Sequence, residues 1–198
     1  MREIILASNS PRRKEILTNA GIKFKVKTSK YKELYSKCFD KEIVKKNSLN
    51  KVSSVIKEGV CPSLIIGADT IVTLYSVCLV KPRNIIEAFF MLKKLSDKTH
   101  KVITSHTVAD SVTGKSITQL STSFVTFRKL GSFEIIRYII SKNPLDKAGS
   151  YGIQDFIKPD EASNPPEGSF IKKLDGSYYN VMGLDIDLIL SMIKMFEK

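Results

Sequence analysis

Ile65-Ile66-Gly67-Ala68-Asp69-Thr70 decides the reading of this chain. Apolar residues and one glycine lead straight into a carboxylate. A buried strand delivers a charged group to the edge of a sheet in this way, and ligands of α/β proteins bind at such edges. A second junction of the same kind lies near the start, where Glu3-Ile4-Ile5-Leu6-Ala7 runs into Ser8-Asn9-Ser10-Pro11-Arg12-Arg13. Lys51, Lys81-Pro82 and the stretch Lys147-Ala148-Gly149-Ser150-Tyr151-Gly152-Ile153-Gln154 follow further along. One acid among many phosphate-seeking cations reads as a metal-assisted site for a polyphosphate.

Composition sets the outer limits. The chain has 198 residues, 42% of them hydrophobic, and no apolar run long enough to span a bilayer. It can bury a core of its own, and residues 1–198 are expected to form one domain. The formal charge is +12, from 32 Lys and Arg against 20 Asp and Glu. Such a surface attracts polyanions in general. The lysines are scattered, however, with no arginine-rich tail and no basic motif interleaved with aromatics. A solvated basic surface with one phosphate site is the preferred reading, and nucleic acid would bind at most nonspecifically. Cys38, Cys61 and Cys78 are odd in number and lack zinc spacing, which predicts free thiols in a reducing compartment. Met1-Arg2-Glu3 leads directly into a short strand, so no signal peptide and a cytoplasmic location are expected.

The organisation alternates strands and helices, which predicts an α/β fold with a mixed sheet. Residues 3–7 read as a buried strand. Ser10 as cap, Pro11 at the first helical position and Gly21 as stop predict a helix over 11–20, with Ile16 and Leu17 inward. Alternation over 23–27 predicts a half-exposed strand. A helix over 41–58 carries Lys51. Residues 63–68 form a central strand, and 71–74 with 77–80 form a short hairpin around Tyr75-Ser76. A helix over 84–95 turns Ile85, Ala88, Phe89, Leu92 and Leu95 inward. Strands at 101–109 and 115–127 turn at Gly114, and a helix covers 132–141. Residues 170–174 and 178–181 flank Asp175-Gly176-Ser177, a hairpin signal. An amphipathic helix covers 185–197. Residues 156–167, with Pro159, Pro165 and Pro166, read as a loop.

Each chemical motif has a plain alternative. Ser8 and Ser10 offer hydroxyls and Arg12 and Arg13 offer forked cations at a helix start, where backbone N–H groups and the dipole also favour phosphate. Alone, Ser-Pro-Arg-Arg is an ordinary capped surface helix. Asp69 is either a turn residue or a hard oxygen ligand and base. Lys51 and Lys81 are individually unremarkable in a lysine-rich chain. Gly149 and Gly152 permit close backbone approach to a ligand, and Gln154 offers the donor and acceptor that a pyrimidine edge needs. His100 suits a structural hydrogen bond better than catalysis, and His106 has no partner visible in sequence. No Ser-His-Asp arrangement, Walker loop or dinucleotide fingerprint is present.

Taken in order, Ser8 to Arg13, Asn50-Lys51, Gly67 to Val72, Lys81-Pro82, Leu95-Ser96, His100, Asp146 to Gln154 and Asp175 to Leu184 resemble the Maf family of nucleoside triphosphate pyrophosphatases. The resemblance implies a fold similar to inosine triphosphate pyrophosphatases, with two lobes around a cleft. It implies Asp69 as proton acceptor, with Lys51 and Lys81 on the triphosphate, and Ser8, Ser10, Arg12 and Arg13 as further substrate contacts. Asp69 and Glu33 would hold a divalent metal, Mg²⁺ first, with Mn²⁺ or Co²⁺ as substitutes. Arg12, Thr70 and Gln154 match the positions that mark the dTTP/UTP subgroup. Lys32-Glu33 stands where bacterial members usually have Asp-Glu, Asp155 stands where a glycine is common, and 156–167 looks like an insertion beside the site. A 7-methyl-GTP pyrophosphatase of the same family, a nucleic-acid-binding protein and a division regulator are the other readings, and a homodimer is left open.

Overall fold

The computed structural model describes residues 2–197. The stretch around Asp69 is one strand rather than two. β3 (Ser63–Leu74) runs unbroken for 12 residues, with every residue buried except Thr70, which is half-buried. It absorbs the expected strand 63–68 and the first arm of the expected hairpin. Both of its faces are covered, so its sequence reads as a nearly continuous apolar run. Leu64, Ile66 and Ala68 join the larger core with Leu17, Leu92, Phe127 and Ile189. Ile65 joins a smaller core with Ile5, Val52 and Val55 on the opposite face.

Around β3 lie β1 (Glu3–Leu6), α1 (Pro11–Asn19), β2 (Lys25–Val26), α2 (Lys41–Lys57), β4 (Val77–Leu79), α3 (Ile85–Leu95), β5 (Thr99–Asp110) and β6 (Ser116–Phe127). α4 (Ser132–Lys142), three 3-10 turns within 144–155, β7 (Ile171–Asp175), α5 (Tyr178–Met182) and α6 (Ile186–Lys194) complete the order. The result is a mixed α/β fold on a seven-stranded sheet, ordered β2-β1-β3-β5-β6-β7, with β4 also paired to β3.

The register of this sheet creates an opening. β1 pairs in parallel with β3 as far as Leu6 opposite Ile66, and the Ala7 N–H donates to the Ile66 carbonyl at 2.8 Å. On the same side β4 begins only at Val72, opposite Leu79. Among the described residues, 67–71 of β3 therefore have β5 as their only strand neighbour, with Asp69 opposite Ser105. Asp69 thus sits in mid-strand, not at a strand end as its sequence suggests. It reaches ligand space because the adjoining edge is open at that point.

α2 covers this region. Asp40 caps it, its carboxylate accepting from the Glu42 N–H at 2.8 Å. Its buried face carries Val44, Asn47, Ser48, Lys51, Val52 and Val55. The helix approaches so closely that a Cβ on Gly67 would lie 2.6 Å from Val52 Cγ2 and 2.8 Å from the Ser48 carbonyl.

Several local expectations change under tertiary context. Residues 178–181 are not a strand: they begin α5, while β7 pairs with β6 instead. Ser177 Oγ accepts from the Asn180 N–H at 3.1 Å and starts the helix. Gly176, at φ 115°, passes so near Ser123 that a Cβ would meet its Oγ at 2.7 Å. The buried Asn180 amide donates to the Val102 carbonyl at 3.1 Å and Ser123 Oγ at 2.8 Å, which ties the helix to β5 and β6. The strand expected at 23–27 shrinks to exposed Lys25 and Val26, because it pairs only with β1. Ile85 is 60% exposed rather than inward, since Ala88, Leu92 and Leu95 form the packed stripe of α3. Ser10 makes no side-chain cap. Segment 156–167 is irregular as expected. Ile157 is buried and its carbonyl accepts from Tyr178 Oη at 3.2 Å, and the segment contributes nothing to the cleft described below. His100 is buried, with Nε2 2.7 Å from Tyr151 Oη. Cys38, Cys61 and Cys78 are unpaired.

The α2–β3 approach generates a test. Gly67→Ala forces the helix outward or distorts β3, an overpacking cost of about 1–3 kcal/mol. Chemical denaturation is expected to show a lower midpoint with little change in slope, and an unshifted midpoint would mean the contact is slack.

Candidate active site

The open edge of β3 faces a cleft of about 390 Å³. Every expected substrate-, metal- or proton-handling side chain lines it: Asp69 and Thr70 from β3, Lys51 from α2, and Ser8, Ser10, Arg12 and Arg13 from the β1–α1 junction; Gly149 does not, because its close approach is to Val72. Glu33, Lys81 and Gln154 complete the set from three loops or turns.

At its floor lies a charge cluster. Lys51 Nζ donates to Asp69 Oδ1 at 2.8 Å and to the Ala68 carbonyl at 3.0 Å, and it also pairs with Glu33 Oε1. Ala68 is two residues beyond Ile66, so its carbonyl points the same way, into the gap left by β1. Lys51 therefore satisfies a strand acceptor that no neighbouring strand reaches. Asp69 is 2% exposed and Lys51 6% exposed, which makes their pairing obligatory. Burial raises the pKa of Glu33, but the charge and hydrogen bond of Lys51, the hydrogen bond of Tyr35 and the charge of Lys81 outweigh it and bring it down to about 2. Glu33 is thus an anion at any working pH. Tyr35 Oη donates to its Oε2 at 2.6 Å, and burial together with the charges of Asp69 and Glu33 keeps that phenol protonated.

The cations form the next layer. Arg13 is 9% exposed and braces three elements: Nε donates to the Gly183 carbonyl at 2.8 Å, Nη1 to Ser8 Oγ at 3.1 Å and Nη2 to Thr70 Oγ1 at 3.2 Å. A guanidinium carries five N–H donors, so two remain for a ligand. Burial pulls its pKa below the usual value, opposed by the charges of Asp69 and Glu33. Arg12 pairs with Asp146 at 2.7 Å, and Lys147 holds the other oxygen of Asp146 at 2.7 Å. Lys81 has no ion-pair partner within 4.0 Å among the described residues. Ser10 points no hydroxyl at the helix, and Ser8 Oγ accepts from the Ser10 N–H at 3.2 Å.

At another part of the wall, Gly152 brings the chain close to Gln154, whose amide atoms would lie 2.9 Å from an added Cβ. Gln154 Oε1 is buried with no hydrogen-bond partner among the described residues. A buried amide oxygen left unpaired is costly, and a ligand donor would relieve it.

Sequence reasoning missed Asn47 and Tyr35 as parts of this site, and it quoted Asp146 and Lys147 within longer stretches without giving either a role. Asn47 had a legible signal: it precedes Lys51 by four positions and shares its helix face. Tyr35 had none, because it stands in an irregular segment.

A model of the Maf-like protein family matches residues 3–196. The chain is similar to proteins named dTTP/UTP pyrophosphatase from Bacillus cereus and Bacillus anthracis. Each is 44% identical over 201 positions, covering 100% of this chain and 97% of the relative. A protein of the same name from Bacillus thuringiensis subsp. konkukian has the same identity and coverage.

Removing the central ammonium tests the cluster. Lys51→Ala leaves two carboxylates facing each other and is expected to cost about 3 kcal/mol or more near neutrality. Glu33 has a folded pKa of about 2 against an ordinary value of 4.5, so its stabilisation is complete above 4.5 and is lost as pH falls through 2. The gap between wild type and variant is therefore widest at neutral pH and narrows below 4.5. A gap independent of pH in urea melts would show that Lys51 packs rather than pairs.

Proposed function

This chain belongs to the Maf-like protein family, and from that premise we propose that it is a nucleoside triphosphate pyrophosphatase acting on dTTP and UTP. The products are the nucleoside monophosphate and pyrophosphate. The observation that carries this reading is the Asp69–Lys51–Glu33 cluster at the floor of a cleft also lined by Arg12, Arg13 and Lys81. The names of the relatives support the pyrimidine substrates.

The triphosphate lies along the cations, with Ser8, Ser10 and Thr70 offering hydroxyl donors. Asp69 accepts the proton of a water that attacks the α-phosphorus. The bond from that phosphorus to the α–β bridging oxygen breaks, and the oxygen leaves on pyrophosphate. Lys81, Arg12 and Arg13 meet the charge that gathers on the leaving group, and Lys51 adds its field from the floor, its three N–H groups being taken by Asp69, Glu33 and the Ala68 carbonyl. Asp146 keeps Arg12 and Lys147 together until a more highly charged phosphate competes for them.

A divalent cation fits this donor set. Asp69 Oδ1 and Glu33 Oε1 both reach the Lys51 ammonium, so they converge on one region of the cleft, which a divalent cation would share with that ammonium. No group of three or more His, Cys, Asp or Glu able to hold a metal occurs among the described residues. Two carboxylates completed by water and phosphate oxygens are the hard, incomplete donor set that suits Mg²⁺, with Mn²⁺ or Co²⁺ able to substitute. When bound, such an ion neutralises phosphate charge. Gln154 pairs its amide with the O4 and N3–H edge of uracil or thymine. Action in the cytoplasm by residues 1–198 as one unit belongs to the same proposal. No helix among the described residues is long and apolar enough to cross a membrane.

Three measurements test this reading. Asp69→Asn is expected to lower UTP turnover by about 1,000-fold or more with the fold retained, because the general base and its charge are both lost. Near-wild-type turnover in that variant would remove Asp69 from the chemistry. Chelation by EDTA should abolish pyrophosphate release, with Mg²⁺ restoring it. A mispaired base leaves the Gln154 amide unsatisfied at about 1–3 kcal/mol, so kcat/KM for UTP and dTTP should exceed that for CTP by roughly tenfold to a hundredfold. Parity between CTP and UTP, or a preference for 7-methyl-GTP, would overturn the substrate assignment.

A further inference from the structure

We propose that Asn47 is a positioning residue for the reaction: its side-chain amide sets the orientation of the Asp69 carboxylate and locks the Glu33-bearing segment to it. The inference rests on the reading of Asp69 as the catalytic carboxylate.

Asn47 is fully buried, and its amide is saturated. Nδ2 donates to Asp69 Oδ2 at 2.8 Å and to the Leu34 carbonyl at 2.8 Å. Oδ1 accepts from the Leu34 N–H at 2.9 Å and from Tyr31 Oη at 3.3 Å. One planar group therefore joins the carboxylate of β3 to the residue next to Glu33. Reversing the amide would set its oxygen against an anion, so its orientation is defined by its neighbours.

The segment it holds has no structure of its own. Residues 27–36 belong to no helix or strand, yet they supply Glu33, Tyr31 and Tyr35 to the cleft wall. α2 fastens them from one face. Asn47 takes Leu34, Lys51 takes Glu33, and Ser54 Oγ meets Ser29 Oγ at 2.8 Å. Lys51 and Asn47 each touch Asp69 as well, but in different ways. An ammonium is a point charge on a flexible stem and leaves the plane of a carboxylate free to turn. The amide donates along a fixed direction to the other oxygen, and the two contacts together define that plane.

A plain loop fastener would make the same bonds to Leu34, so the test separates the two halves of the amide. Asn47→Asp keeps an acceptor for the Leu34 N–H but loses the Nδ2 donor to Asp69 and to the Leu34 carbonyl. Asn47→Ser loses both and buries no charge. For Asn47→Asp, kcat for UTP is expected to fall on the order of 10- to 100-fold, the usual effect of a displaced catalytic group. KM should move less than about threefold, because Arg12, Arg13 and Lys81 do not touch Asn47. Hydrogen exchange should show the Leu34 amide protected in Asn47→Asp and unprotected in Asn47→Ser. Thermal melts establish that each variant folds, and Asn47→Ser carries the kcat test if Asn47→Asp does not. Wild-type kcat in Asn47→Asp, or in Asn47→Ser where only that variant folds, would reduce Asn47 to a fastener and overturn the proposal. Asp69→Asn is measured in parallel. If it turns over normally, the catalytic reading of Asp69 fails and this proposal fails with it. If it is inactive while the Asn47 variants are not, only this proposal fails.

Discussion

α2 lies against β3 because residue 67 has no side chain. The Ser48 carbonyl and the Val52 methyl occupy the space a Cβ would need, at 2.8 and 2.6 Å. That contact sets the depth of the helix over the strand. Depth decides whether Asn47 and Lys51, one turn apart on the buried face, arrive at Asp69 or overshoot it. Both arrive at 2.8 Å. From them hangs the irregular segment that brings Glu33, and from Asp69 and Thr70 the cleft continues to Arg13 and the 8–13 junction. An interior packed to crystal density transmits such a displacement rather than absorbing it.

The sheet contributes the second condition. A buried carboxylate in mid-strand is normally a liability, since a paired strand offers it neither solvent nor ligand. Here β1 stops at Leu6 and the pairing with β4 begins only at Val72, opposite Leu79, so five residues of β3 lack a strand on that side. Lys51 fills part of the gap by taking the Ala68 carbonyl and neutralising the acid beside it. The same missing neighbour lets the buried Asp69 line the cleft. Structural cost and chemical access have one origin.

The charge of +12 says little by itself about where phosphate would bind. Most of the lysines are solvated, while the cations of the cleft are held by specific acceptors. Arg13 is pinned by Gly183, Ser8 and Thr70, and Arg12 and Lys147 share Asp146. A guanidinium already fixed in place loses little rotamer freedom when it meets an anion, and that separates a site from a basic surface.

The alternation of elements and the apolar run of 64–68 were enough to give an α/β fold with a mixed sheet, and the ordered motifs were enough to collect the residues that line the cleft. Glycine and proline signals located α1 and the β5–β6 turn because those signals act within a few residues. Two features were not legible, and a third was legible only in part. Asp175-Gly176-Ser177 reads locally as a hairpin, but Asn180 finds its partners on β5 and β6, and those long-range bonds select a helix. The break in pairing beside Asp69 depends on where β1 and β4 end relative to β3, and register is a property of the assembled sheet. Asn47 looked like one more polar residue in a basic helix. Its four bonds reach residues 13 and 16 positions upstream and 22 downstream. Local sequence determined which residues were available to this site. Only the close approach of α2 to β3 decided which of them would touch.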